Sequence, residues 1–260
     1  MYKIIIALFW IQLFSCKSPE KKTIIADLHL EEAPVNVISN DVKIIDSLKV
    51  HINFKPKGDY TLIKSGIIID RAFFKTLFKT NPEKAIDSAS SYLYSKLINE
   101  IVPHWYGTPW DFNGHTNIPN KGEIACGYFV STTLKHLGFN LNRYKMAQQS
   151  GLIEAQVLQE KLNLKIYRNH SYGVLKTKLN QVYDDGVYFV GLDNHVGYVL
   201  IIDKEFYFLH SSYYDDKVMI ELAKESPCFD SNIYVFAEIT TNKDLVKHWI
   251  FNDLLVVPAN

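Results

Sequence analysis

The chain has 260 residues, of which 47% are hydrophobic and 22% are charged. This composition is sufficient for a domain with a buried core, and it excludes a largely disordered protein. Because 28 basic residues balance 28 acidic residues, the chain lacks the excess positive charge that nucleic-acid binding needs, and we expect no nucleic-acid partner.

The N-terminus has the residue order of an export signal. Lys3 precedes an apolar run over residues 4–14, which is too short to span a bilayer, and the small residues Ser15 and Cys16 follow. Residues 13–16 resemble the lipobox of bacterial lipoproteins. This resemblance implies that residues 1–16 form a signal peptide, and that Cys16 is lipidated and anchors an exported protein to a membrane of the bacterial cell envelope. The alternative is a plain cleaved signal in which Cys16 has no role.

The segment after the signal is predicted in two parts. Residues 17–40 are charged and contain prolines, which indicates a tether, and residues 41–80 form a small N-terminal region of unknown role. Within that region, residues 42–69 have the composition of strands, including the stretch 60–69 after a predicted turn. Asn81 and Pro82 then predict the start of a helix that runs to about Val102.

A further helix is predicted to begin at Cys126, because apolar residues recur at helical spacing from there to Leu137, and Gly138 is a natural stop. Residues 152–184 indicate one or two short helices. Four segments rich in Val, Ile, Tyr and Phe predict strands: 186–192, 195–203, 205–213 and 233–239. Helices followed by consecutive hairpins indicate an α+β fold with an antiparallel sheet.

Cys126, His195 and His210 are candidates for one catalytic set. A thiol attacks as thiolate, and its pKa of about 8.5 falls at a helix N-terminus or beside an imidazolium. His195 directly follows a tight turn at the start of a strand, which suits a general base. In a hairpin that turns near residues 203–204, the numbers of paired residues sum to about 407, so His210 lies on the face of His195, within diagonal reach. Such a group can hold an imidazole in position.

Six segments, in order, resemble motifs of the NlpC/P60 family of cysteine peptidases. Around the candidate residues, A-C-G-Y-F-V at 125–130 resembles the nucleophile motif D-C-S-G-F-V, H-V-G-Y-V-L at 195–200 resembles H-V-G-I-Y-L, and F-L-H-S at 208–211 resembles F-I-H-A. Elsewhere, G-T-P-W-D-F-N-G at 107–114 resembles G-x-P-Y-x-x-G-G, L-N-R at 141–143 resembles L-P-R, and G-V-Y-F-V at 186–190 resembles the strand G-D-L-V-F-F.

The resemblance implies a papain-like NlpC/P60 fold for residues 81–240, with a nucleophile helix packed on an antiparallel β-sheet, and leaves residues 241–260 as a C-terminal extension. It implies that Cys126 is the nucleophile, His195 its base and His210 the group that orients the base. The implied reaction is hydrolysis of an amide in a peptidoglycan stem peptide, often between D-γ-glutamate and a diamino acid. The chemistry requires no cofactor and no metal.

Residues beside the nucleophile depart from the family motif, since Ala125 replaces Asp, Gly127 replaces Ser and Tyr128 replaces Gly. Gly127 keeps the backbone N–H that an oxyanion needs, and Tyr128 narrows the cleft. Together with Trp110 in the first loop, they are the candidate substrate contacts. We consider Glu123 as a replacement for the missing carboxylate.

Three other interpretations stay open. The altered motif is compatible with a catalytically inactive cell-wall-binding or scaffold lipoprotein. A thiol acyltransferase or deamidase would use the same residues. Cys126, His195 and His210 also have the donor types of a zinc site, although no metal-binding spacing supports it. Cys228 follows Pro227 in a predicted loop, and we expect both Cys126 and Cys228 to be free thiols.

Overall fold

A computed structural model describes residues 54–258 of the chain. The predictions for the signal, for Cys16 as the lipid anchor, for the tether and for strands before residue 54 lie outside the described residues. Within residues 54–258, no helix is long and apolar enough to cross a membrane.

The described chain mixes helices with one large antiparallel sheet. The helices are α1 Tyr60–Thr80, α2 Pro82–Lys96, α3 Val102–Trp105, α4 Cys126–His136, α5 Arg143–Ala147, α6 Gly151–Leu158, α7 Tyr172–Leu179 and α8 Lys243–Phe251. A π-helical turn, Leu97–Ile101, joins α2 to α3, and a 3-10 turn, Lys161–Asn163, follows α6. The strands are β1 Asn140–Leu141, β2 Lys165–Arg168, β3 Gly186–Gly191, β4 Val196–Ile202, β5 Glu205–Ser212, β6 Lys217–Leu222, β7 Ile233–Glu238 and β8 Leu254–Leu255.

Six strands pair in the order β2-β7-β3-β4-β5-β6, and every neighbouring pair is antiparallel. The prediction of an α+β fold with an antiparallel sheet is therefore confirmed. The strands β1 and β8 form a separate parallel pair. All four predicted strands are present with ends within one or two residues, whereas β1, β2, β6 and β8 were not predicted.

The prediction of strand structure for residues 60–69 is wrong, because this stretch begins α1. The Asp59 carboxylate accepts hydrogen bonds from the backbone N–H groups of Thr61 and Leu62, at 2.8 and 2.9 Å, and so caps the helix. Ile67 and Phe74, two turns apart, are buried on the same helical face. The cap and this packing override the strand preference of the β-branched residues.

The helix predicted from Pro82 is confirmed and has the expected start. The Asn81 side chain accepts from the Lys84 backbone N–H at 3.0 Å, and Pro82 occupies the first turn, where its missing N–H costs nothing. The chain remains helical through the π turn and ends at Trp105, three residues beyond the predicted end.

The helix α4 begins at Cys126, as predicted, and lies against the sheet. The Tyr198 hydroxyl of β4 donates to the Val130 carbonyl at 3.0 Å and lies 2.7 Å from the Thr133 hydroxyl. Gly138 has φ +94°, a conformation that lets the chain leave the helix at little cost. This packing directs the N-terminus of α4 towards the beginning of β4.

The end segments of the described chain contribute to the same core as the sheet. Trp249 of α8 is fully buried, and its indole N–H donates to the Leu137 carbonyl at 2.8 Å. Its ring contacts Phe74 of α1, with centroids 5.7 Å apart. Residues 60–80 and 243–251 therefore brace the helix that carries Cys126.

The close approach of α6 to β3 can be tested by a substitution at Gly151. A methyl group on Gly151 would lie 2.7 Å from the Gly191 Cα, so Gly151→Ala should lower the free energy of unfolding by about 1–3 kcal/mol through overpacking. Gly173→Ala in α7 is the matched control, since nothing lies within 4 Å, and it should raise stability by about 0.5 kcal/mol through helix propensity. Urea unfolding measures both. Equal effects would contradict the close approach.

Candidate active site

The Cys126 thiol lies in a cavity of about 390 Å³ between α4, α6 and the start of β4. His195 lines the same cavity. The Cys126 sulfur accepts a hydrogen bond from the backbone N–H of Val196, the residue that follows His195. The structure thus brings together the candidate nucleophile and the residue proposed as its base, which lie far apart in the sequence.

The two ring nitrogens of His195 have different surroundings. Nε2 is 2.8 Å from Nδ1 of His210, which confirms that the two histidines lie within reach on one face. Nδ1 is buried and has no hydrogen-bond partner among residues 54–258. His195 is 3% exposed, so solvent has little access to its ring. One nitrogen is therefore oriented by His210, and the other is available to a neighbouring donor.

Glu221 extends this arrangement, and the sequence analysis missed it. Nε2 of His210 lies 3.0 Å from a Glu221 carboxylate oxygen. Because a carboxylate only accepts, His210 carries its proton on Nε2, and its Nδ1 accepts from the Nε2–H of His195. His195 is then left with a lone pair on Nδ1, as a general base for a thiol requires.

The registers of the sheet place these side chains. Tyr198 pairs with Leu209, so paired numbers sum to 407 as predicted, and His195 immediately precedes β4. In the next hairpin, Phe208 pairs with Glu221, which sets Glu221 diagonal to His210 on the same face. Glu221 could therefore have been found only by predicting strand β6, which was not predicted from the sequence.

Gly197 makes room for His210. A methyl group on Gly197 would lie 2.6 Å from a Phe208 ring carbon and 2.9 Å from the His210 Cβ. The Phe208 and His210 rings stack with centroids 4.1 Å apart and an interplanar angle of 17°. The absence of a side chain at Gly197 therefore allows this pair to fill the face that His195 borders.

Burial controls the charges of the site. It raises the pKa of the Cys126 thiol to about 11, although the backbone N–H groups of Val196 and Gly127 act in the opposite direction. Burial, and then the neighbouring His210, hold the pKa of His195 well below its usual range. Burial also lowers the pKa of His210 against the opposing effect of Glu221. The resting pair is therefore a neutral thiol and a neutral imidazole.

The expectation of a thiol pKa lowered by the helix terminus and an imidazolium is consequently wrong for the resting site. The free-energy cost of removing a thiolate from water exceeds the stabilisation that the helix N-terminus and the backbone N–H donors provide.

A second unforeseen group is Glu154 in α6. It is 1% exposed, lines the cavity, and its Oε2 has no hydrogen-bond partner among the described residues. Its other carboxyl oxygen would lie 3.1 Å from a methyl group on Gly127, so the missing side chain there leaves it space. Burial raises the pKa of Glu154 well above its usual range. Glu123 is exposed and does not line the cavity, so the hypothesis that it replaces the carboxylate is wrong.

Of the predicted substrate contacts, Gly127 lines the cavity, whereas Trp110 and Tyr128 do not. The Trp110 ring contacts Tyr213, with centroids 6.1 Å apart, and Tyr213 in turn contacts His195 at 5.2 Å. The Tyr128 ring lies 5.8 Å from the Tyr144 ring and half-buried beside Arg143. These two aromatic residues border the catalytic elements from outside the cavity.

Cys228 lies closer to the histidine pair than the sequence indicated. Cys126 and Cys228 are both free, as predicted. The Cys228 sulfur and one nitrogen each of His195 and His210 lie within 4.8 Å of one another, and all three residues are buried. The group with zinc-ligand chemistry therefore contains Cys228 and not Cys126.

Comparisons of the chain with protein-family models, with curated proteins and with solved structures found no match. The function is therefore inferred from the geometry of the chain's own residues and from the motif resemblance.

Alkylation tests the charge state of the site. With a thiol pKa of about 11, the rate of reaction of Cys126 with iodoacetamide should rise about tenfold per pH unit between about pH 7 and 9. Cys228 is 2% exposed and should stay unlabelled in the folded protein, so it is the internal control. Mass spectrometry of the cysteine peptides measures both. A rate independent of pH would indicate a resting thiolate–imidazolium pair and contradict the neutral one.

Proposed function

We propose that residues 81–240 form a papain-like domain of the NlpC/P60 type, and that the chain hydrolyses an amide bond in a peptidoglycan stem peptide. One observation carries the proposal: hydrogen bonds run from His195 through His210 to Glu221 and leave Nδ1 of His195 without a partner among the described residues, while His195 lines the cavity that holds Cys126. A half-buried thiol beside an oriented base is the set of groups that nucleophilic acyl transfer needs.

In the proposed reaction, Nδ1 of His195 takes the thiol proton while the Cys126 sulfur attacks the amide carbonyl. The resulting imidazolium is stabilised through His210 by the Glu221 carboxylate, which offsets the cost of a buried positive charge. The concerted transfer suits a site where both groups are neutral at rest. His210 and Glu221 act through His195 and are positioning residues.

The N-terminus of α4 stabilises the tetrahedral intermediate. Backbone N–H groups in the first turn of a helix have no partner within the helix, and those of Cys126 and Gly127 point towards the sulfur. An oxyanion formed at the attacked carbon lies near these donors. His195 then returns its proton to the leaving amine, and a water molecule hydrolyses the thioester with His195 again as the base.

The exposed Arg168 and Asp193 line the cavity, and these two charges support a peptide with charges of both signs. Glu154 lines the cavity from α6, and its raised pKa makes it a neutral hydrogen-bonding group there. Stem peptides carry both carboxylates and amines, and a bond between D-γ-glutamate and a diamino acid is flanked by both. The proposed location is the bacterial cell envelope, with Cys16 as the lipid anchor.

A second candidate is a catalytically inactive binding or scaffold protein on the same fold. The observation that favours it is the Cys126 pKa, which burial raises to about 11, so that little of the thiol is in the nucleophilic thiolate form at neutral pH. An acyltransferase or deamidase would use the same thiol and imidazole, and only its products would differ.

Replacing the nucleophile separates these functions. Cys126→Ala should abolish cleavage of a γ-D-glutamyl-diamino acid stem peptide, because no other group in the proposed mechanism attacks the carbonyl. Mass spectrometry of the wild-type products identifies two peptides for a hydrolase, released ammonia for a deamidase and a new amide for an acyltransferase. Circular dichroism verifies the fold of the variant. Retained cleavage by Cys126→Ala would refute the nucleophile, and no turnover by the wild type would favour the inactive protein.

The positioning role of Glu221 has a separate test. Glu221→Gln keeps the size of the side chain and removes its charge, so kcat should fall by about 10–100-fold with KM unchanged. The control is His248→Ala, which breaks an exposed pair with Asp253 at 3.0 Å outside the cavity and should leave kcat and KM unchanged. An unaltered kcat for Glu221→Gln would show that the carboxylate does not assist the imidazolium.

A further inference from the structure

Cys228 is a buried thiol that the proposed mechanism does not use. It lies in the turn between β6 and β7, and its sulfur is 3.8 Å from the Ser212 hydroxyl. The sulfur also accepts hydrogen bonds from the backbone N–H groups of Tyr213 and Tyr214. Burial raises the pKa of the Cys228 thiol, and these donors oppose that rise by stabilising the thiolate, which is the form that binds metals.

We propose that His195, His210 and Cys228 form a binding site for Zn²⁺ and similar divalent transition-metal ions. The ligands are Nε2 of His195, Nδ1 of His210 and the sulfur of Cys228. Two imidazoles and one thiolate are a preferred donor set for zinc. A water molecule would complete a tetrahedral site.

The distances require little movement. The facing histidine nitrogens are 2.8 Å apart. Tetrahedral zinc with Zn–N bonds of about 2.0–2.1 Å needs them about 3.3 Å apart, and each nitrogen about 3.6 Å from the sulfur. One nitrogen of each histidine and the Cys228 sulfur already lie within 4.8 Å of one another. The ion therefore needs the histidine pair to open by about 0.5 Å and the sulfur to approach by up to about 1.2 Å.

Glu221 supplies the outer contact that metal-bound histidines usually have. It accepts from Nε2–H of His210 at 3.0 Å, which leaves Nδ1 of His210 with the lone pair that faces His195. A carboxylate in this position fixes the ring orientation and makes the imidazole a stronger ligand. The contact that orients His210 for catalysis therefore also prepares it to bind a metal.

Metal binding would switch off the base. When Nε2 of His195 binds the ion, the single proton of the neutral ring moves to Nδ1, the atom that must take the thiol proton from Cys126. The Cys228 thiol releases its proton to solvent on binding. The site is therefore inhibitory, and removal of the ion by a chelator reverses the effect.

The test measures metal binding directly and needs no substrate, so its result is independent of the proposed hydrolase activity. Full-length protein is stripped with a chelator and titrated with Co²⁺, whose thiolate charge-transfer and tetrahedral d–d absorption report the ligands, and with Zn²⁺ by calorimetry. Wild type and Cys126→Ala should bind one equivalent with the same affinity. Glu221→Gln should weaken binding by about 10–100-fold, and Cys228→Ala, which removes a ligand, by more than about 100-fold.

Each alternative result overturns the site. No binding by the wild type, binding that persists in Cys228→Ala, or binding that is lost in Cys126→Ala would each contradict the assigned ligands. His248→Ala is the control for adventitious binding by a surface histidine and should bind as the wild type does. If Cys228→Ala does not fold, His210→Gln tests the same site, because it removes a different ligand and should also abolish the cobalt charge-transfer spectrum.

Discussion

The hydrogen bond between Nε2 of His195 and Nδ1 of His210 exists in only one register of the β4–β5 hairpin. A shift of one residue would turn His210 to the opposite face of the sheet. The bond also needs Gly197, because any side chain there would overlap Phe208 and His210. The tight turn at Asp203 and Lys204, both with positive φ, fixes the register. The chemistry at Cys126 therefore depends on a backbone constraint in a neighbouring hairpin.

Burial of the Cys126 and His195 side chains determines their charge states. In water, the pKa values of a thiol and an imidazole differ by about 2 units, so proton transfer from the thiol to the imidazole costs about 2.7 kcal/mol. Inside this cavity both charged forms are penalised, and the pKa of the Cys126 thiol reaches about 11. The Glu221 carboxylate, at the far end of the histidine pair, is the group that compensates for a positive His195. In the proposed mechanism, the resting site is therefore neutral, and it becomes charged only as a bond to the substrate forms.

Local patterns predicted the parts of the site that follow from local rules. The start of α4 at Cys126 follows from helical spacing, and the approach of His195 and His210 follows from a short turn and strand pairing. Glu221 could not be assigned without β6, whose partner is decided by the sheet as a whole. Glu154 looks like any helical glutamate, and only the packing of α6 on β3 buries it. The α1 error has the same origin, because burial of Ile67 and Phe74 outweighs local strand preference.

The space between the two histidine nitrogens has one occupant at a time. A proton there keeps the His195 lone pair on Nδ1 and makes the ring a base for Cys126. A metal ion there moves the ring proton to Nδ1 and removes that base, while Glu221 supports His210 equally in both states. Cys228 favours the metal, since it adds a third ligand without contributing to acyl transfer. The same hydrogen-bond geometry that supports the proposed thiol hydrolase therefore also supports the proposed zinc site.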